Sequence, residues 1–167
     1  SSNFPKHSMK QKSKSLILTI AINACRILLA GTFIFSGFVK ANDPLGTVYK
    51  FEDYLSAMAW FTLPQTFLLA CAVILAFVEF TIGTHLLFGI NRRGTARVAT
   101  VFMAAMTILT TYIAIANPVS DCGCFGDVII LSNEETLAKN IILLAASIFI
   151  CRFYRLQKDF LTAGAKW

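Results

Sequence analysis

The stretch Val98–Ala116, "VATVFMAAMTILTTYIAIA", decides the fold. It holds no charged residue, follows Arg92, Arg93 and Arg97, and stops at Asn117-Pro118, where proline cannot continue a helix. At a rise of about 1.5 Å per residue it matches a hydrocarbon layer of about 30 Å. A charge-free helix of that length with arginines at one end is a membrane span.

Working outward, the rest of the chain agrees. Hydrophobic residues make up 56% of the 167 and charged residues only 14%, too apolar for a water-soluble domain of this size. Further apolar runs cover about 16–39, 66–90 and 134–154, beside the span at about 97–117. In the last, Ser132-Asn133-Glu134-Glu135 is a capping box that starts the helix ahead of its apolar part. The expectation is an all-α, integral-membrane four-helix bundle, a single domain over 1–167 behind a basic tail, 1–14. "LILTIAINAC" resembles a lipoprotein signal ending at Cys25, but Asn23 and the apolar run continuing to Val39 favour an uncleaved span.

Lysine and arginine set the orientation. Lys6, Lys10, Lys12 and Lys14, then Arg92, Arg93 and Arg97, then Arg152, Arg155, Lys158 and Lys166 mark three cytoplasmic segments. The other two connections carry more acid than base and face outward, so both termini are inside. The formal charge of +6 thus sits at helix ends, where it signals topology, and nucleic acid is excluded as a partner; membrane lipid is expected. In the first outer connection, Asp43 caps and Pro44 begins an amphipathic interfacial helix at about 44–60, with Leu45, Val48, Leu55, Met58 and Ala59 at helical spacing. Such a helix could roof the bundle.

The second outer connection holds Asp121–Asp127, "DCGCFGD". Cys122 and Cys124 lie on the oxidising side of the membrane, where a dithiol is oxidised or exchanging. Gly123 and Gly126 allow the tight backbone that a ring over one intervening residue needs. A bridge so short removes little loop entropy and stabilises hardly at all, which favours exchange over a staple. Zinc prefers two to four residues between cysteines, so no metal is assigned; Asp121, Cys122, Cys124 and Asp127 are the set a metal would require. Asp121 and Asp127 raise a thiol's pKa, so activation must come from distant residues, with Lys40, Lys139 or the start of the fourth helix as sources. Phe125 completes the motif.

Within the membrane, Arg26 and Glu79 each lie about ten or eleven residues from a cytoplasmic helix end, hence at similar depth. They are expected to pair or to line a polar cavity. His85 reads as a hydrogen-bonded core residue, and Cys25 and Cys71 as small apolar ones.

"SGFVKANDP" (Ser36–Pro44) resembles the end of the first helix of DoxX-like membrane proteins, and "DCGCFGD" resembles the cysteine motif of their MauE branch. Arg26 in "ACRILLAG" and Glu79 in "FVEFTIGTHLLFG" match that pattern, and the similarity spans about 16–154, with relatives in the Bacteroides group. The resemblance implies a bacterial inner-membrane protein concerned with disulfide formation or quinone-linked sulfur oxidation. The DsbB and vitamin K epoxide reductase families add a second outer cysteine pair that this chain lacks. The expected function is therefore thiol–disulfide exchange through Cys122 and Cys124 with a periplasmic thioredoxin-like or disulfide-bonded protein, with quinone as the cofactor such chemistry admits. The alternatives are a non-catalytic subunit scaffolding other membrane subunits and a metal or small-molecule binder.

Overall fold

The computed structural model describes residues 6–57, 63–116, 125, 129 and 131–157. They form α1 (Lys6–Asn42), α2 (Pro44–Ala57), α3 (Gln65–Phe88), α4 (Arg92–Ala116), α5 (Asn133–Arg152) and a 3-10 turn at Tyr154–Leu156, with no strand among the described residues.

Local chemistry sets the helix ends. α1 begins within the expected basic tail, because residues 6–14 contain no glycine or proline and include good helix formers such as lysine, glutamine and methionine. Asp43 separates α1 from α2: its N–H donates to Val39 O at 3.0 Å, and its Oδ1 accepts from the Gly46 N–H at 3.0 Å. Pro44 follows at the first helical position, as expected. α3 ends at Gly89, whose φ of 73° is left-handed and suits a residue without Cβ. α4 starts at Arg92 rather than 97 because Asn91 caps it, accepting from Gly94 N–H on Oδ1 and from Thr95 N–H on its carbonyl. At α5 the capping box is formed: Ser132 Oγ accepts from Glu135 N–H, and Glu135 Oε2 accepts from Ser132 N–H.

Three helices are long and apolar enough to cross a membrane: α1 over Lys12–Asn42, α3 and α4. α5 coincides with the fourth expected span, but Glu134, Glu135, Lys139 and Arg152 within its 20 residues set it outside these three by composition. The burial pattern is inverted relative to a soluble protein. Phe77, Val101, Ile108 and Ile115 are 70–80% exposed, while Arg26, Glu79, Asn140 and Ser147 are buried. Apolar surface outward and polar groups inward is what hydrocarbon solvent selects.

α1 packs most extensively on α3, and α4 on α5; contacts of α1 with α5 and of α3 with α4 join the two pairs. The core between them includes Leu29, Phe33, Ile82, Leu86, Met103, Leu143 and Ile150. α1 and α3 touch backbone to backbone. A Cβ at Gly37 would lie 2.7 Å from Ala76 O and Phe80 N, and one at Gly83 would lie 2.7 Å from Ile34 N. These contacts fix the register: Gly37 faces 76–80 and Gly83 faces 30–34. α3 therefore begins well beyond the end of α1, and α2 folds against that projecting part, Val48 packing on Leu68 and Ala72.

Candidate functional site

Between α1, α2, α3, α4 and α5 lies a cleft with about 690 Å³ of empty space, its open mouth included. α2 roofs it through Thr47, Lys50, Phe51 and Tyr54, which recur at i, i+3, i+4 and i+7 and so share one helix face. Below them the walls are aromatic and thioether: Phe33, Phe102, Met103 and Met106, with Leu75, Leu109 and Leu143. Ser36, Lys40, Glu79, Lys139 and Asn140 supply the polar groups. Lys40 and Glu79 are 5% and 3% exposed.

Lys40 and Glu79 form a buried ion pair. Lys40 Nζ donates to Glu79 Oε2 at 2.9 Å, to Oε1 at 3.2 Å and to Ser36 Oγ at 2.6 Å. Asn140 anchors the opposite wall, its Nδ2 donating to Thr110 Oγ1 at 3.2 Å, so α4 and α5 share a buried polar contact.

The expected pairing of Arg26 with Glu79 is corrected here. Along the register set by Gly37 and Gly83, Glu79 is level with Ser36, and Arg26 lies about ten residues, roughly 15 Å, further down α1. The count from helix ends failed because α1 and α3 are staggered. Arg26 is fully buried and does not line the cleft, and neither does His85, which is half-buried and whose carbonyl accepts from Ile90 N–H. Lys40, expected in the outer connection as a source of positive potential for the cysteine motif, is instead the partner of Glu79. Its signal was its spacing: it lies four residues after Ser36, and the helix that carries both runs on to Asn42.

Of the cysteine motif, Phe125 is described; Asp121, Cys122, Gly123, Cys124, Gly126 and Asp127 lie outside the described residues. Phe125 lines the cleft, its ring 5.5 Å from that of Phe35 and edge-on to it, with Lys139 Nζ 4.0 Å from its centroid. That is a close cation–π contact. Cys25, Cys71 and Cys151 are half-buried free thiols, and Cys25 and Cys151 pack against the apolar core. No group of three or more metal-ligating side chains occurs among the described residues.

The family model described as "Methylamine utilisation protein MauE" matches residues 18–153, so the chain belongs to the MauE family. No curated protein and no solved structure matches it. Family and helices together make it a multi-pass membrane protein.

Proposed function

We propose that this member of the MauE family is a membrane thiol–disulfide redox protein. Cys122 and Cys124 are its exchanging pair, and the cleft is the seat of a two-electron acceptor of the quinone class. One observation carries the proposal. Phe125, joined to Cys124 by a single peptide bond, lines a cleft whose walls combine aromatic rings with ammonium and hydroxyl donors. Rings hold a planar ring by stacking, and Lys50, Lys139 and Tyr54 offer donors for carbonyl oxygens. Mobile two-electron carriers of the quinone class have that shape and those acceptors.

In the exchange, a thiolate of the pair attacks one sulfur of a partner's disulfide, and a mixed disulfide forms as the partner's other sulfur leaves as thiolate. The second cysteine then attacks its neighbour's sulfur, closes the Cys122–Cys124 bond and releases the partner reduced. Two electrons pass from the pair to the partner. Run in reverse, a partner's dithiol reduces the Cys122–Cys124 bond and leaves as a disulfide, and a quinone then re-forms that bond, taking up the two electrons and two protons as it becomes quinol. In this proposal α5 is the fourth crossing, both termini are cytoplasmic, and the motif faces a periplasmic thioredoxin-like partner.

Alkylation of membranes with and without reductant reports the redox state of the pair, and Cys124→Ser leaves Cys122 to hold a mixed disulfide. The expected result is a reductant-dependent mass shift of two adducts in the wild type and a covalent partner in the variant. A pair that stays fully alkylatable without reductant, and no covalent partner in either Cys124→Ser or Cys122→Ser, would overturn the proposal.

A further inference from the structure

We infer that Arg93, Arg97 and Arg155, gathered around Tyr154, hold the headgroup phosphate of an anionic phospholipid whose acyl chains lie along the exposed face of α4. The arginines follow the end of α3, whereas α2 covers its beginning, so this site is at the opposite end of the bundle from the roofed cleft. It stands independently of the redox proposal.

Two segments far apart in the chain meet there. Arg92 Nη1 donates to the carbonyl of Gln157, and Gln157, itself buried, donates from Nε2 to Ile150 O at 3.3 Å. The 3-10 turn is thereby tied to the start of α4. Arg93 then comes beside Tyr154, its Cζ 5.8 Å from the ring centre; Arg155 Cζ is also 5.8 Å away, and its Nε donates to Tyr154 Oη at 3.2 Å. Arg97, one turn after Arg93, adds its charge to the field at the same phenol.

Left to itself, such a cluster is unfavourable. Like charges repel, and the first turn of α4 carries Arg92 and Arg93 without an acid, at the positive end of a helix dipole. α4 and the turn contain no aspartate or glutamate, and among the described residues no carboxylate pairs with Arg93, Arg97 or Arg155. All three are exposed. A bound anion offsets this charge, and guanidinium groups match a phosphate in particular, giving its oxygens paired N–H bonds.

The face below the arginines selects a lipid over a soluble anion. At about 100° per residue, Arg93, Val101, Ile108 and Ile115 all project within about 40° of Arg97. The three apolar side chains are exposed. One stripe of α4 therefore starts with guanidinium groups and continues as hydrocarbon-facing surface. A leaflet about 15 Å deep corresponds to about ten residues of helix, enough for Val101 and Ile108 to run beside an acyl chain whose phosphate is at Arg97. A headgroup of net negative charge is favoured, because the ammonium of a zwitterionic one is repelled by the same arginines.

The full-length protein, purified in dodecyl maltoside and stripped of lipid, is titrated with dioleoyl phosphatidylglycerol, with dioleoyl phosphatidylcholine or with inorganic phosphate, and adducts are counted by native mass spectrometry. The first phosphatidylglycerol should bind about tenfold or more tighter than the first phosphatidylcholine. Arg97→Gln and Arg155→Gln should each weaken phosphatidylglycerol about fivefold and leave phosphatidylcholine unchanged. A second readout is the absorbance titration of the phenol, taken as the difference from Tyr154→Phe: a phosphate among the arginines offsets their field, so phosphatidylglycerol should move the midpoint up and phosphatidylcholine should not.

Comparing the two lipids on the parent protein needs no variant, so the inference stays testable if an arginine variant fails to fold. Equal binding of the two lipids, a midpoint unmoved by phosphatidylglycerol, or an undiminished preference in Arg97→Gln/Arg155→Gln overturns it. Inorganic phosphate binding as tightly as phosphatidylglycerol also overturns it, since the apolar face of α4 would then contribute nothing.

Discussion

Neutralising either member of the Lys40–Glu79 pair should destabilise the protein strongly, and neutralising both together should not. The ammonium donates to both oxygens of Glu79 and to Ser36 Oγ. With both side chains about 5% exposed, almost no solvent screens the contact. At 2.9 Å and an effective dielectric of about 20, the attraction is about 5.7 kcal/mol. Desolvation of two ions offsets most of this, so the pair adds little net stability over an apolar one; the cost appears when one charge is left alone. Glu79→Leu takes the carboxylate away from a buried ammonium, and about 3–5 kcal/mol should be lost. Glu79→Gln keeps one carbonyl acceptor and should fall near the low end of that range. Lys40→Met leaves a buried carboxylate and should lose a similar amount. The double variant Lys40→Met/Glu79→Leu should recover to within about 1–2 kcal/mol of the parent, giving a coupling energy of several kcal/mol. Reversible unfolding by sodium dodecyl sulfate in mixed micelles, followed by circular dichroism, measures each corner of the cycle. If the double variant is as unstable as the two single losses added together, the pair is not the interaction described here.

The glycines give a sharper contrast. Gly37→Ala and Gly83→Ala each place a methyl 2.7 Å from backbone atoms of the other helix and should cost about 1–3 kcal/mol in the same unfolding assay. Gly31→Ala, in the same helix as Gly37 with nothing within 4 Å of the added methyl, should gain up to about 1 kcal/mol from propensity. Ser132→Ala removes one side of the capping box and should cost about 1 kcal/mol, with faster amide exchange confined to the first turn of α5. Tyr154 is held below its ordinary pKa, first by the hydrogen bond from Arg155 Nε and then by the charges of Arg155, Arg93 and Arg97. The lowered pKa favours the folded state only on the alkaline side, above the phenol's unfolded value, and the contribution is lost as pH falls through the folded value, so it is absent at neutral pH. Arg155→Gln should shift the phenolate absorbance titration upward; an unmoved titration would refute that hydrogen bond.

Helices were legible because their determinants are local. Val98–Ala116 carries its own length and lack of charge, Asp43-Pro44 its own cap, and Ser132 with Glu135 its own capping box. Register was not legible, because it depends on which small residues let two backbones meet. Gly37 and Gly83 in the sequence are two glycines among nine; only their facing contacts reveal the stagger of α1 on α3. Depth counted from the helix ends therefore put Glu79 beside Arg26 rather than Lys40. The roof face of α2 was half legible. Val48 packs on α3 as its apolar spacing implies, yet Leu45 is exposed, and the residues turned to the cleft are Thr47, Lys50, Phe51 and Tyr54. Amphipathic spacing marks a buried face without saying whether protein or a cavity covers it.

One geometric cause links the glycines, the ion pair and the roof. With α1 set low against α3, the first turns of α3 stand clear of α1, and Leu68 and Ala72 need an apolar cover there; α2 supplies it through Val48. Folding back to do so, α2 turns its Thr47–Tyr54 face over the cleft. The same offset puts Glu79, four residues before Gly83, level with Ser36, so that Lys40, one turn further along α1 and three residues after Gly37, reaches it with its side chain. Each glycine thus lies within about one turn of a charged partner. Any side chain that forces the two backbones apart also stretches a 2.9 Å contact between buried charges, whose energy depends steeply on distance in a poorly screened site. Gly37→Ala should therefore lose coupling between Lys40 and Glu79 as well as packing. The double-mutant cycle repeated in that background should return a smaller coupling energy, whereas an unchanged one would separate the close helix approach from the ion pair it is held to position.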